Sequence, residues 1–185
     1  MEIETIRAAD AAIATHWFED DGSIANNPTL PLLLYNGALR LDRDPSPDTA
    51  ATCEAVFAAN GWGGRWRNGI FTYHHYHSTA HEVLAIARGK VRVRFGGEAG
   101  VTVELQSGDV ALLPAGTGHK NLGASAELLV VGAYPPGQSW DLLRGESGDR
   151  PQALENIARV PLPPNDPVYG DRGPVWEYWL GRADG

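Results

Sequence analysis

The sequence predicts an all-β fold with a few short peripheral helices, and three observations point there. Its 22 glycines and 13 prolines fall in many small clusters rather than in one linker, as turns between short strands require. Between the clusters, apolar residues either alternate with polar ones or run unbroken over a few positions. Those are the patterns of strands buried on one face and on both. The clearest helical start and stop signals bound a single segment near residue 50.

Bulk composition narrows the class. At 185 residues with 43% hydrophobic content the chain suits one domain, residues 1–185, with terminal extensions. A net charge of −8 argues against nucleic acid, which needs a dense basic patch, and against an anionic membrane surface. No apolar run approaches the ~20 residues of a membrane span, and the first residues lack the pattern of a signal peptide. Cys53 is the single cysteine, so no intrachain disulfide forms, and a cytoplasmic location is expected.

Taken in order, residues 1–12 are alanine-rich and weakly helical, and Ile13 to Phe18 reads as a first strand. Leu30 to Tyr35 is too apolar to be exposed and reads as an edge or interface strand, which predicts a homodimer. Ser46-Pro47-Asp48 starts a helix that stops at Asn60-Gly61, with Cys53 inside it as a small buried packing residue. Trp62-Gly63-Gly64-Arg65-Trp66-Arg67 either forms a substrate rim or closes the barrel end with solvated arginines.

Three short strands follow: Val83–Ala87, Val91–Phe95 with Arg92 and Arg94 on the solvent side, and Val101–Leu105. Val110–Leu113 is an apolar strand, and Leu128–Tyr134 is continuous enough in apolar residues to be buried on both faces. Arg150-Pro151 opens a short helix. Pro161 to Gly170 is extended, and Trp176, Tyr178 and Trp179 call for burial in a strap that packs on the domain and lines the pocket mouth.

The candidate chemistry sits between Gly69 and His119. In Phe71-Thr72-Tyr73-His74-His75-Tyr76-His77 a strand places Phe71, Tyr73, His75 and His77 on one face, so two imidazoles can share one ion. Glu82 adds a carboxylate after a short turn, and the loop from Pro114 to Gly118 delivers His119. Three imidazoles and one carboxylate suit a divalent ion such as Fe, Mn, Ni, Co or Zn. Tyr73 is a candidate pocket wall or proton donor. His74 has the opposite parity, and His81 lies in the turn; each reads as surface or as support behind the ligands. His16 has no partner in sequence.

These residues resemble the cupin family. Gly69, His75, His77, Glu82 and Gly89 match its first motif, and Gly108, Pro114, Gly116 and His119 match its second up to the histidine. The short Lys90–Ser107 interval resembles compact single-domain bacterial cupins. The resemblance implies a double-stranded β-helix (jelly-roll) barrel over about residues 62–135, an N-terminal extension 1–61 and a C-terminal strap 136–185. It implies metal ligation by His75, His77, Glu82 and His119. One departure stands: the family places an asparagine four residues after the last histidine, whereas here Asn121 comes after two and Gly123 at four.

Four protein ligands on an octahedral ion leave two positions for a small-molecule substrate, or for substrate and dioxygen. A metal-dependent dioxygenase is therefore the first expectation. An oxygen-independent isomerase or lyase on a sugar or hydroxy acid is the alternative, and a non-catalytic binding barrel the third.

Overall fold

The computed structural model describes residues 6–9, 11–43 and 47–181. Among these, nine strands form two antiparallel sheets. They are β1 (Ala12–His16), β2 (Leu32–Asn36), β3 (Gly63–Asn68), β4 (Glu82–Arg88), β5 (Lys90–Phe95), β6 (Val101–Gln106), β7 (Val110–Leu113), β8 (His119–Ala124) and β9 (Leu129–Tyr134). The larger sheet runs β1-β2-β7-β4-β9-β3 and the smaller β6-β5-β8. This is the expected double-stranded β-helix, and no described helix is long and apolar enough to cross a membrane.

Period two explains what fills it. On the inner face, Leu84 and Ile86 of β4, Val91, Val93 and Phe95 of β5, and Ala111 and Leu113 of β7 pack between the sheets. The alternate residues of the large sheet, Leu33, Tyr35, Val83, Ala85, Val110 and Leu112, face outward but are also buried, under α1 (Thr49–Ala59) and the C-terminal strap. Covering both faces is what makes β2, β4, β7 and β9 read as unbroken apolar runs. Each such side chain contributes about 1.5–3 kcal/mol on leaving water.

Several expectations are corrected here. The run of leucines is not an edge: β2 is bonded to β1 on one side and β7 on the other. Its apolar surface is thus covered within the chain and calls for no second subunit. α1 is capped by Asp48, whose side chain accepts from the Ala51 amide at 3.1 Å. The expected cap Ser46 lies outside the described residues. The helix does stop at Asn60-Gly61, and Cys53 is buried on its inner side.

The Arg150 helix also forms, as α2 (Arg150–Ile157), burying Ala153 and Ile157 against Ile24, Tyr76 and Ala115. In the strap Trp179 is buried, but Trp176 is 42% exposed on the same π-helical turn, Val175–Leu180. The strap also divides. Its beginning reaches the pocket mouth through Trp140 and Leu142. Its end packs on the outer face, where Trp62 donates to Asn165 O at 3.0 Å.

Candidate metal centre

The segment that carries the first two histidines is extended but is not a regular strand. It is tied by two isolated bridges, His75 to His119 on one side and Tyr76 to Leu143 on the other. Amides of Gly116 and Asn121 donate to His77 O and Phe71 O, both at 2.8 Å. Alternation survives because it belongs to extended backbone, laddered or not. The His75 and His77 rings both face inward, their centroids 5.7 Å apart.

His119 opens β8 and brings its ring within 4.0 Å of the His75 ring. His75, His77 and His119 each offer a ligand nitrogen, all within 4.8 Å of one another, and all three are buried. Glu82 opens β4 on the inner face, with Oε2 3.4 Å from Nε2 of His77 and 3.4 Å from Nε2 of His119. The three histidines of the sequence-predicted quartet form one group, and Glu82 stands against two of them, His77 and His119.

Backbone carbonyls set the tautomers. Nδ1 of His77 meets Asp141 O, Nδ1 of His119 meets Thr117 O at 3.1 Å, and Nδ1 of His75 meets Tyr73 O at 3.4 Å. A carbonyl only accepts, so Nδ1 carries the hydrogen and Nε2 keeps its lone pair for the interior. The carbonyl of Asp141 is itself held in place. Its carboxylate accepts from the Ser78 amide at 2.6 Å and from the Ser78 hydroxyl, and Asn156 of α2 donates to that hydroxyl at 2.9 Å.

Burial and the neighbouring groups shift the titration of the cluster in opposing directions. Burial, then His119 and His77, push His75 down to about 3. Burial opposes the charge on Glu82, yet His77 and His119 outweigh it and hold the carboxyl below the usual range. His77 is raised because Glu82 overcomes its burial. The remaining oxygen tells most. Glu82 Oε2 is buried without a hydrogen-bond partner and looks at two imidazole lone pairs. Lone pairs do not face a carboxylate stably; a cation between them satisfies all at once. The donor set fits a first-row divalent ion.

Sequence reasoning missed Tyr134, at the end of β9. Its hydroxyl donates to Glu82 Oε1 at 2.8 Å and accepts from Trp66 Nε1 at 3.0 Å. Burial, then the Glu82 charge, push the phenol up, so it stays protonated. The legible signal is parity: Val130, Gly132 and Tyr134 alternate inward with β4 beside them.

A cavity of about 210 Å³ opens onto this cluster, its walls including Trp66, Ile70, Phe71, Leu84, Trp140 and Leu142. Its inner end is the buried histidine cluster with Glu82, and Phe71 and Trp140 are half exposed. Tyr73 is not among the lining residues. It stacks on Phe71 with centroids 5.0 Å apart and lies beneath the Arg144 guanidinium at 4.0 Å.

The other expectations resolve in different ways. Trp62 is core, while Trp66 lines the cavity. Arg67 is committed to Glu54 and Asp48, at 2.7 and 3.0 Å. His81 is buried rather than at the surface: its Nδ1 accepts from the Ala115 amide at 2.9 Å, bracing the loop before His119, and its ring lies against Trp179. His74 points the other way, 3.2 Å from Glu98, and His16 stacks on Phe18. Asn121 accepts from the Gly123 amide at 2.7 Å within β8.

A jelly-roll barrel with a buried three-histidine cluster beside a carboxylate at one end of its interior is the class that fold and site define. Residues 67–132 match the model of the cupin domain. The chain is 41% identical over 166 residues to the uncharacterised Bacillus subtilis protein YjlB, covering 90% of this chain and 96% of that one. The chain belongs to the cupin superfamily.

Among solved structures it is similar to a Bacillus anthracis acireductone dioxygenase with a cadmium ion in its active centre. That likeness has 17% identity over 72% of this chain and 99% of the other, with a TM-score of 0.42. It is also similar to a Klebsiella pneumoniae double-stranded β-helix protein, with 11% identity over 77% and 95% of the two chains and a TM-score of 0.35. Neither likeness bears on activity.

Proposed function

We propose that this chain is a metal-dependent enzyme of the dioxygenase type acting on a small, largely apolar organic molecule. One observation carries the reading: three oriented Nε2 lone pairs and the unpartnered Glu82 Oε2 converge where a small apolar cavity ends. His75, His77, His119 and Glu82 would hold the ion. When bound, iron or manganese supplies one-electron chemistry with dioxygen and polarises a ligated substrate.

The chain's own residues do the rest. Asp141 O, Thr117 O and Tyr73 O orient the imidazoles, and Tyr134 holds Glu82. Ile70, Phe71, Leu84, Trp140 and Leu142 exclude water and orient an apolar body. In this reading Tyr73 supports the rim residue Phe71 from behind and is not the acid, since Tyr134 is the phenol at the cluster.

The lining disfavours the sugar or hydroxy-acid alternative. A polyol needs several free hydrogen-bonding groups, whereas Arg67, Trp66 Nε1 and Tyr134 already have protein partners and, among the described residues, Asn68 alone offers a side-chain amide at the wall. A homodimer remains a proposal and now rests on β1, an edge strand without a charged residue; a monomer in light scattering removes it.

The test is elemental mass spectrometry on protein purified without chelators, beside His77→Ala and His119→Ala. Anaerobic loading with Fe(II) and exposure to nitric oxide follow. Metal near one equivalent per chain, with a ferrous-nitrosyl EPR signal lost in both variants, is expected. No uptake by the wild type after reconstitution overturns the proposal.

A further inference from the structure

We infer that Tyr134 is a positioning residue for the metal centre, seated by Trp66, and that it restricts Glu82 to ligation through one oxygen. The inference rests on the metal reading above and goes beyond the ligand set.

Hydrogen-bond chemistry fixes the direction of the relay. The indole N–H of Trp66 can only donate, and it points at the Tyr134 hydroxyl at 3.0 Å. The hydroxyl thus accepts on one side, and because a carboxylate only accepts, its single proton goes to Glu82 Oε1 at 2.8 Å. A carboxylate turns easily about its last torsion, which is broad and two-fold, so an untethered Glu82 would present either oxygen or both. With Oε1 tied, Oε2 alone faces His77 and His119, each at 3.4 Å.

The strands are shaped for this pair. Trp66 stands opposite Gly132 across β3 and β9, and a Cβ on residue 132 would come within 2.1 Å of the indole Cε2. Only glycine there lets the ring lie flat over β9. On β3, Gly64 has φ +60°, and a Cβ there would lie 3.1 Å from the Tyr134 ring. A register shift between Gly63 and Trp66 turns the indole inward. Trp66, Gly64, Gly132 and Tyr134 thus act as one cross-strand device whose endpoint is a single carboxylate oxygen.

The experiment uses the full chain, stripped of metal and titrated with Zn(II) against a chromophoric chelator. Tyr134→Phe keeps the ring and removes the proton; loss of such a partner behind a ligand weakens metal affinity about 10- to 100-fold. Trp66→Phe loses affinity in the same direction but less. The metal-free melting temperature of Trp66→Phe and Tyr134→Phe is measured alongside, since a merely structural role lowers it without a specific loss of zinc affinity. If Tyr134→Phe and Trp66→Phe bind zinc like the wild type while His119→Ala does not, the positioning role falls and the metal centre stands. If the wild type itself takes up no zinc, the metal reading fails and this inference with it.

Discussion

Removing one buried carboxyl should detach the C-terminal strap from the sheet. Asp166 has no exposed surface and gathers four donors. Its Oδ1 accepts from the amides of Val168 and Tyr169 at 2.8 and 2.9 Å, and its Oδ2 from the Val175 amide at 3.1 Å and the Tyr35 hydroxyl at 2.8 Å. Asp166→Ala strands all four. Each buried orphan costs about 1–3 kcal/mol, but the turn can relax and recover part of it, so a net loss of about 3–5 kcal/mol is expected.

Asp166→Asn keeps Oδ1 and turns an amide NH₂ towards Val175 N–H. Tyr35 can rotate to accept one amide hydrogen, but Val175 N–H and the Tyr35 proton lose their acceptor. The loss is smaller than in the alanine variant, which also strands the Val168 and Tyr169 amides. At about 2–4 °C per kcal/mol for a chain of this size, the alanine variant should melt roughly 6–20 °C lower, with the asparagine variant between it and the wild type. Urea unfolding read by tryptophan fluorescence measures both. The end of the strap that Asp166 holds packs on the outer face and the histidine cluster lies on the inner, so zinc affinity should not change. An alanine variant within about 1 kcal/mol of wild type, or an asparagine variant equally damaged, would refute the accounting.

Three further outcomes are expected. Saturating divalent metal at about 100 times its Kd should add about 2.7 kcal/mol, roughly 5–10 °C in melting temperature, reversed by EDTA and absent from His119→Ala. Gly132→Val, a substitution that strand preference alone would favour, should cost about 1–3 kcal/mol by driving its Cβ into Trp66 and should change the near-UV circular dichroism; unchanged stability would show that the indole is not fixed there. The hydrogen bond from Arg150 holds the Asp20 carboxyl below its usual value while burial opposes it. A depressed folded pKa gives stability that is present above the unfolded value of about 3.9 and lost as pH falls through the folded one. Asp20→Asn should therefore lose about 0.5 kcal/mol near neutral pH, and the gap in parallel urea titrations should close in acid.

The candidate quartet was legible because alternation and motif spacing are local. His75 and His77 face the same way in any extended backbone, although their segment pairs with single residues on either side rather than with a strand. What covers an apolar surface is not local. Leu32 to Tyr35 look the same in sequence whether a second subunit or the chain's own tail lies over them. The answer came from Asp166, 131 residues away, clasping Tyr35. The same limit left His81 open between surface and support behind the ligands; the Ala115 amide and the Trp179 ring against it decide for burial.

Tyr134 was hidden differently. Leu128–Tyr134 reads as a strand buried on both faces, and a tyrosine at its end looks like filling. The role proposed for it depends on which neighbour shares its face, and that is fixed by pairing β9 between β3 and β4. The clue in the sequence was Gly132. A glycine inside a run of Leu, Val and Ala costs strand stability, so it marks a place where something bulky crosses the backbone. Trp66 is that group, and following it across the strand leads to Tyr134 and then to Glu82. Where an unbroken apolar strand carries one glycine two positions from a polar aromatic residue, that residue is worth reading as part of the site on the sheet's inner face.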